Sequence, residues 1–288
     1  MRQLCKATGI STQAYYKARS QPSAPSSTSP ATPRTPPPNM TVGDVELREA
    51  ILAVKGEEHA EFWGHRKVWA VLRHQMKMAV GHNRVWKMMG ALDLLLPATG
   101  PHSLHAREGE VAVPESNRRW GTDLTTVWTR QDGVVAVGPV IDFCDRELLA
   151  IGVSKSQESE IVLEPLEEAL REAFGSPEGV PDGMELRIDN GPQYRGSVCH
   201  NLCEHWELEQ SFSIVGRPTC NAITERVILT MKSELIWARD WESAAELREA
   251  LEAWRITYNH RRPHESLGWM TPAQKRAENL GAATVAAA

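Results

Sequence analysis

The stretch WGTDLTTVWT at residues 120–129 marks the point where the sequence changes from a helical to an extended periodicity. It alternates and is rich in Thr, Val and Trp, a composition typical of a strand. Two apolar segments follow, GVVAVGPVIDF at 133–143 and LLAIGVS at 148–154, separated by the turn-like CDRE at 144–147. Three consecutive strands with short connections predict the beginning of a β-sheet.

Beyond residue 154, helical and extended patterns alternate. Five elements are predicted, namely a helix at 159–174, the strand MELRID at 184–189, a short helix VCHNLCEHWEL at 198–208, the strand QSFSIV at 210–215 and a helix at 221–237. Ser159 and Asn221 are predicted to cap their helices. Ser243 with Glu246 forms a capping box before one more helix, which is expected to bury Leu247, Ala250, Leu251 and Trp254. The fold class is therefore α/β, with a mixed five-stranded sheet flanked by helices.

Residues 42–98 have a helical period and predict a small domain of three short helices. Its apolar positions are Val45, Ala50, Ile51, Val54, Val68, Trp69, Leu72, Val85, Met88 and Met89. Asn83 is placed to cap the third helix. Basic residues accompany the last two helices, at Lys67, Arg73, Lys77, Arg84 and Lys87. This pattern suits a helix-turn-helix-like DNA-binding domain, and it equally suits an ordinary three-helix bundle with a solvated basic face.

The remaining segments divide the chain into five parts. Residues 1–19 are a short helical fragment, and residues 20–41 are a linker rich in Pro, Ser and Thr, with three consecutive prolines that exclude helix and sheet interior. Residues 99–116 are a second linker, and 117–280 contain the sheet domain with its C-terminal helix.

Composition narrows the class of protein. With 288 residues, 41% of them hydrophobic, the chain can bury a sizeable core, and disorder throughout is excluded. No apolar run reaches the roughly 18–20 residues of a membrane helix, and the first residues lack the apolar segment of a signal peptide. Five cysteines, an odd and sparse number, indicate reduced thiols. We therefore expect a cytoplasmic protein without a membrane partner.

The charge is unevenly distributed along the chain. The net charge is −5, but residues 1–120 have 16 Lys and Arg against 10 Asp and Glu, whereas residues 121–288 have 16 against 27. A basic front and an acidic back are expected when one part holds a polyanion and another gathers carboxylates for metal. Solvated acidic helices would give the same asymmetry.

Three acidic residues stand out by position. Asp123 lies within the first predicted strand, Asp189 ends the fourth, and Glu225 lies in the first turns of the helix after the fifth. Mg²⁺ prefers such oxygen ligands, and clustered carboxylates repel one another unless a cation is bound. Two ions about 4 Å apart would activate an attacking oxygen and stabilise the leaving oxygen of a phosphodiester. Each acid taken alone would sooner be a strand-end or helix-cap residue.

Several motifs make the chain similar to a known family. TDLT at 122–125, DNGPQY at 189–194, NAITE at 221–225 and YNHRRPHESLG at 258–268 resemble the orfB-type transposases of bacterial insertion sequences, the IS-three family. That group belongs to the retroviral-integrase-like DDE superfamily. The resemblance covers about residues 45–275. The family's three catalytic acids fall on Asp123, Asp189 and Glu225, and the 35 residues between the last two match its spacing.

The resemblance implies a ribonuclease-H-like fold and DNA strand cleavage and transfer that depend on Mg²⁺ or Mn²⁺, with two ions. The expected partners are double-stranded DNA at element ends and target, further copies of the chain on DNA, and an upstream-frame protein. The protein would be nucleoid-associated when bound to DNA. Six basic residues are the expected DNA contacts, namely Lys232, Arg217, Arg261, Arg262, Arg84 and Lys87. Lys232 follows Glu225 by two helical turns, on nearly the same face, although it could simply be solvated.

The sequence departs from the family pattern in one loop. Ile214 and Val215 replace a common basic pair, and Cys220 replaces an Asp. These changes keep the acidic triad and motivate an alternative, a catalytically inactive DNA-binding protein. A third hypothesis keeps the metal chemistry and makes the protein a structure-selective nuclease. For Arg261 and Arg262, packing of the last helix against the core is the alternative to DNA contact.

Two other groups are excluded as sites. Asp142 matches a family position that is usually structural. Cys199, His200, Cys203 and His205 fit no complete zinc pattern, so buried thiols beside surface histidines are expected.

Overall fold

The computed structural model describes residues 42–97, 113–156, 158–189, 191–212 and 221–286. Thr41–Ala288 forms one compact unit. The predicted segments 1–19 and 20–41, and most of the 99–116 linker, lie outside the described residues. No helix in the described ranges is long and apolar enough to cross a membrane.

The N-terminal part of this unit contains the three predicted helices, α1 (Asp44–Lys55), α2 (His65–Ala70, continued by a π turn at Val71–Gln75) and α3 (His82–Ala91). Their apolar faces form one core that includes Leu47, Ile51, Val68, Leu72, Val85 and Met89. Two details of the prediction were wrong. Val45, which was expected in the core, is exposed, and Leu47 is buried in the core instead. Asn83 lies inside α3, because the helix already begins at His82 after Gly81.

The predicted mixed sheet is confirmed, with one correction. Its strands are β1 (Arg119–Thr122), β2 (Thr125–Thr129), β3 (Gly133–Asp142), β4 (Leu148–Ser154), β5 (Glu185–Ile188) and β6 (Glu209–Phe212). The predicted first strand is divided into β1 and β2, which both pair antiparallel with β3, and Asp123 lies in the break. β4 pairs antiparallel with β3, β5 runs parallel to β1, and β6 runs parallel to β5.

Helices cover both faces of the sheet, as expected for a ribonuclease-H-like fold. They are α4 (Ser159–Phe174), α5 (Pro192–Arg195), α6 (Ser197–His205), α7 (Ala222–Glu234), α8 (Ala244–His260) and α9 (Pro272–Ala286). One core joins α4 and α6 to the face that carries Trp120, Leu186 and Ile188. A second core joins α7 and α8 to the face that carries Val127 and Val135. The α7 helix, which carries Glu225, is thus packed directly on the sheet.

The first residues of α8 and α4 test two of the predicted helix caps. Ser243 Oγ accepts from the backbone N–H of Glu246 at 3.2 Å, so the predicted cap of α8 is confirmed. In α8, Leu247, Leu251 and Trp254 are buried and Ala250 is partly buried. Ser159 is the first helical residue of α4 and not its cap, a position that belongs to Glu158.

Candidate active site

The pairing of β1 with β5 brings two of the three acids together. The strands are parallel, and their register pairs Trp120 with Leu186 and Gly121 with Arg187. Continuing this register by two residues places Asp123 level with Asp189. Neighbouring strands lie about 4.8 Å apart, so both acids sit at the same end of two adjacent strands.

Gly121 allows the third acid to approach. A Cβ atom on Gly121 would lie 2.7 Å from Thr224 Oγ1 and would also collide with the ring of Phe143. A side chain here would therefore push α7 away from β1. Because Thr224 rests on Gly121, the next residue, Glu225, lies near the end of β1 where Asp123 follows.

The three carboxylates share one electrostatic environment. The pKa of Asp123 is raised to about 6, chiefly by burial and also by the negative charges of Asp189 and Glu225. The backbone N–H of Leu124, which donates to Asp123 Oδ1 at 2.7 Å, and the positive charge of Lys232 act in the opposite direction. Lys232 therefore reaches the same environment from α7, as its spacing from Glu225 predicts.

Tyr194 is a residue of this site that the sequence did not single out, although it ends the DNGPQY motif. Its hydroxyl is buried 3.5 Å from Thr122 Oγ1. Burial raises the pKa of Tyr194, and the charges of Asp123 and Asp189 add to the effect. The phenol therefore stays protonated beside the two acids. Asp189 is fixed by a different contact, in which its Oδ1 accepts from the backbone N–H of Gly191 at 2.8 Å.

Asn221 occupies the position before α7, as predicted, but its side chain makes no capping hydrogen bond. Within the described part of the chain, both its polar side-chain atoms and Thr224 Oγ1 are buried without a hydrogen-bond partner. The predicted cap by the Asn221 side chain was therefore wrong.

The donor set suits a hard divalent cation, because all three side chains supply carboxylate oxygens. Burial is the main cause of the raised pKa of Asp123, and the repulsion from Asp189 and Glu225 that adds to it is the kind that a bound cation relieves. Among the described residues, no three His, Cys, Asp or Glu side chains stand close enough to form a ready ligand set. The acids are therefore electrostatically coupled and chemically suited to Mg²⁺ without forming a closed cage.

Asp123→Asn is expected to stabilise the metal-free protein by about 1–3 kcal/mol above pH 6. The pKa of Asp123 is raised to about 6 in the folded state. The charged carboxylate therefore costs stability above pH 6, and the cost disappears as pH falls below about 4, where both states are protonated. Urea unfolding with a chelator at pH 8 and pH 4 measures the difference. The exposed Asp182→Asn is the control, and an equal gain at both pH values would contradict the shift.

The predicted DNA contacts fall into different environments. Lys87 is exposed on α3, and Arg84 is half-buried and pairs with Asp44 at 2.5 Å. Arg261 pairs with Glu57, also at 2.5 Å, and keeps 48% of its side chain exposed. Arg217, with the altered residues Ile214, Val215 and Cys220, lies outside the described residues.

Arg262 differs from the other cations because it is buried. Its guanidinium binds the buried carboxylate of Glu234 at 2.9–3.1 Å. This pairing favours the packing alternative for Arg262 over a contact with phosphate. Sequence reasoning did not find it because Glu234 lies 28 residues away, and neither residue type suggests burial.

The two excluded groups have the expected surroundings. Asp142 is fully buried and faces Arg276 of α9 at 3.5 Å, which is a structural contact. On α6, Cys199 and Cys203 are buried in the core, and His200 and His205 are exposed.

Comparisons with known proteins agree with this architecture. Residues 113–218 and 207–272 match models of the "Integrase core domain", and residues 44–102 match that of the "HTH-like domain". The catalytic core domain of BIV integrase is similar at 18% identity and a TM-score of 0.45, over 58% of this chain and 99% of that one.

Two curated relatives are more similar in sequence. The transposase InsD for insertion element IS2A/D/F/H/I/K of Escherichia coli is 33% identical over 225 residues, or 74% of this chain and 72% of that protein. InsD for IS2 on the F plasmid of Escherichia coli strain K12 matches with the same identity and coverage. The chain therefore belongs to the family of insertion-element transposases, in which a helix-turn-helix-like domain precedes an integrase core.

Proposed function

We propose that this protein is a DNA transposase that cuts a DNA strand at the end of an insertion sequence and joins it to target DNA. The observation that carries the proposal is the electrostatic coupling of Asp123 with Asp189 and Glu225, where β1, β5 and α7 meet. The names of the curated relatives support the same activity.

In this proposal Asp123, Asp189 and Glu225 would hold Mg²⁺ or Mn²⁺, as two ions. The bound metal would activate the attacking oxygen, from water or a DNA 3′-hydroxyl, and stabilise the oxygen that leaves phosphorus. Lys232 would bind a phosphate beside the acids, because its positive charge already acts on Asp123. No protein nucleophile is needed, so we expect no covalent link between protein and DNA.

The partners follow from the same proposal. The helix-turn-helix-like domain would bind double-stranded DNA at the element end, with Arg84 and Lys87 as phosphate contacts. Arg217 and Arg261 would add phosphate contacts from the catalytic core. Target DNA would enter at the acids. Further copies of the chain and an upstream-frame protein would complete the assembly on DNA.

An assay with labelled DNA tests this function. The purified chain is incubated with the inverted repeats that flank its gene, target DNA and Mg²⁺ or Mn²⁺, with and without the upstream-frame protein. We expect a nick at the element end followed by joined products. Hydrolysis without joining would instead indicate a nuclease, and DNA binding without any cleavage would indicate an inactive DNA-binding protein.

A further inference from the structure

The carboxylate of Glu234 joins the helix-turn-helix-like domain to the catalytic core. Glu234 ends α7, and its side chain is only 6% exposed. Arg262, in the segment after α8, donates to both of its oxygens through Nε at 3.1 and 3.0 Å. Lys67 of α2 donates to Oε1 of the same carboxylate at 3.3 Å. One buried acid thus binds a cation from each part of the molecule.

His264 completes the surroundings of Arg262. Burial and the positive charge of Arg262 hold the pKa of His264 well below its ordinary value, so the imidazole is neutral. Its Nε2 atom lies 3.4 Å from Arg262 Nη1 and can accept from it. The ring of Tyr258 packs edge-on against His264 with centroids 4.8 Å apart. Arg262 is therefore held in place from two directions, and Lys67 is the partner that comes from the other domain.

The charge of Lys67 contributes little to folding stability. The pKa of Lys67 is lowered to about 8, first by burial and then by the charge of Arg262, whereas the contact with Glu234 acts in the opposite direction. A lowered pKa means that the charged ammonium costs folding stability at neutral pH, and that the cost falls only as pH rises above about 8. Two cations on one buried carboxylate are a poor source of stability but a good means of fixing geometry.

Other polar contacts across this boundary, among the described residues, are more exposed. They include the ion pair of Arg261 with Glu57, the ion pair of Arg66 with Glu265 at 3.4 Å, and the hydrogen bond that Gln75 Nε2 donates to the backbone oxygen of Arg261 at 3.1 Å. Trp69 and Trp269, both partly buried, add an edge-to-face contact with ring centroids 5.6 Å apart. Exposed ion pairs contribute little and exchange readily with water. The contact of Lys67 with the buried carboxylate of Glu234 is therefore the best-defined polar link between α2 and α7 among the described residues.

We propose that Lys67 is a positioning residue that, through Glu234, fixes α7 relative to the helix-turn-helix-like domain. This inference rests on the proposed function. Glu225 lies nine residues before Glu234 on the same helix, about 13 Å along its axis. Because a helix of this length is rigid, fixing its end also fixes Glu225 and Lys232. A DNA end bound by the first domain is thereby presented to the acids in one register.

The experiment compares four full-length proteins. Lys67→Met removes the charge and keeps the length of the side chain, and Lys67→Arg restores the charge. Arg66→Met is the matched control, because Arg66 precedes Lys67 on α2 and its ion pair with Glu265 is exposed. Melting temperature and affinity for the element end are measured first. Since Lys67 does not stabilise the fold, Lys67→Met is expected to melt within a few degrees of the wild type and to bind DNA within about twofold.

Two further readouts address positioning. In single turnover with labelled ends and Mg²⁺, Lys67→Met is expected to cut about 10–100-fold more slowly and to spread its cuts over neighbouring phosphodiesters. Hydrogen exchange with and without the DNA end is independent of chemistry. In the wild type, Arg66→Met and Lys67→Arg, DNA is expected to slow exchange in Ala222–Glu234, and in Lys67→Met this protection is expected to be lost.

The exchange result decides the inference even if no strand is cut. Protection of Ala222–Glu234 by DNA that is equal in the wild type and Lys67→Met, or absent from both, would overturn the positioning role. Protection that depends on Lys67, in a wild type that cuts nothing with Mg²⁺ or Mn²⁺, would support the positioning role and overturn the proposed function alone.

Discussion

Glu225→Gln is expected to reduce the single-turnover rate of DNA cleavage at least about 10³-fold, equivalent to about 4 kcal/mol of transition-state stabilisation. The substitution keeps the size of the side chain and removes the negative charge that would bind a cation together with Asp123 and Asp189. Glu225 is exposed, so the fold should not change. The rate is measured with labelled element ends and saturating Mg²⁺.

Affinity for DNA separates this effect from a general loss of function. Glu225→Gln should bind the element end within about twofold of the wild type, because loss of one carboxylate removes no basic contact to phosphate. The control is Glu249→Gln, the same change at an exposed position of α8. A cleavage rate for Glu225→Gln within tenfold of the wild type would remove Glu225 from the proposed ligand set.

The sheet and its covering helices could be predicted because their signals are local. The apolar run GVVAVGPVIDF and the one-sided apolar pattern of α8 depend on neighbouring residues, and both elements form as expected. The break at Asp123 could not be predicted in this way. The residues on both sides of Asp123, such as Thr122 and Thr125, are equally typical of a strand. Only their pairing with β3 shows that the strand is divided.

The candidate site could be predicted only in part, because its motifs are local but the approach of its residues depends on tertiary contacts. Motifs single out Asp123, Asp189 and Glu225, but their approach depends on the missing side chain of Gly121, which admits Thr224 of α7. Tyr194 was overlooked because a tyrosine in a short helix looks like an ordinary core residue. Its place beside two acids results from the pairing of β1 with β5, which joins residues more than 60 positions apart.

The buried charges around Arg276 also depend on contacts between residues far apart in the sequence, and they lead to a prediction about stability. Arg276 of α9 lies among three acids, at 3.1 Å from Asp145, 3.5 Å from Asp142 and 2.9 Å from Glu147. Asp142 and Asp145 are completely buried, and Arg276 also donates to Asn117 Oδ1 at 2.8 Å. Burial, with the charge of Asp145, raises the pKa of Asp142 to about 6, and Arg276 opposes this rise.

Arg276→Ala should therefore cost about 3–5 kcal/mol of unfolding free energy at pH 8, because it leaves these acids buried without their cation. Without Arg276 the pKa of Asp142 rises further, so its carboxylate takes up a proton earlier as pH falls. The loss should be clearly smaller at pH 5, since a protonated acid no longer needs the guanidinium. Urea unfolding at both pH values tests this, with Lys275→Ala, whose partner Glu278 is exposed, as a control within about 0.5 kcal/mol. A loss below 1 kcal/mol, or one that is the same at both pH values, would show that Arg276 does not neutralise the buried acids.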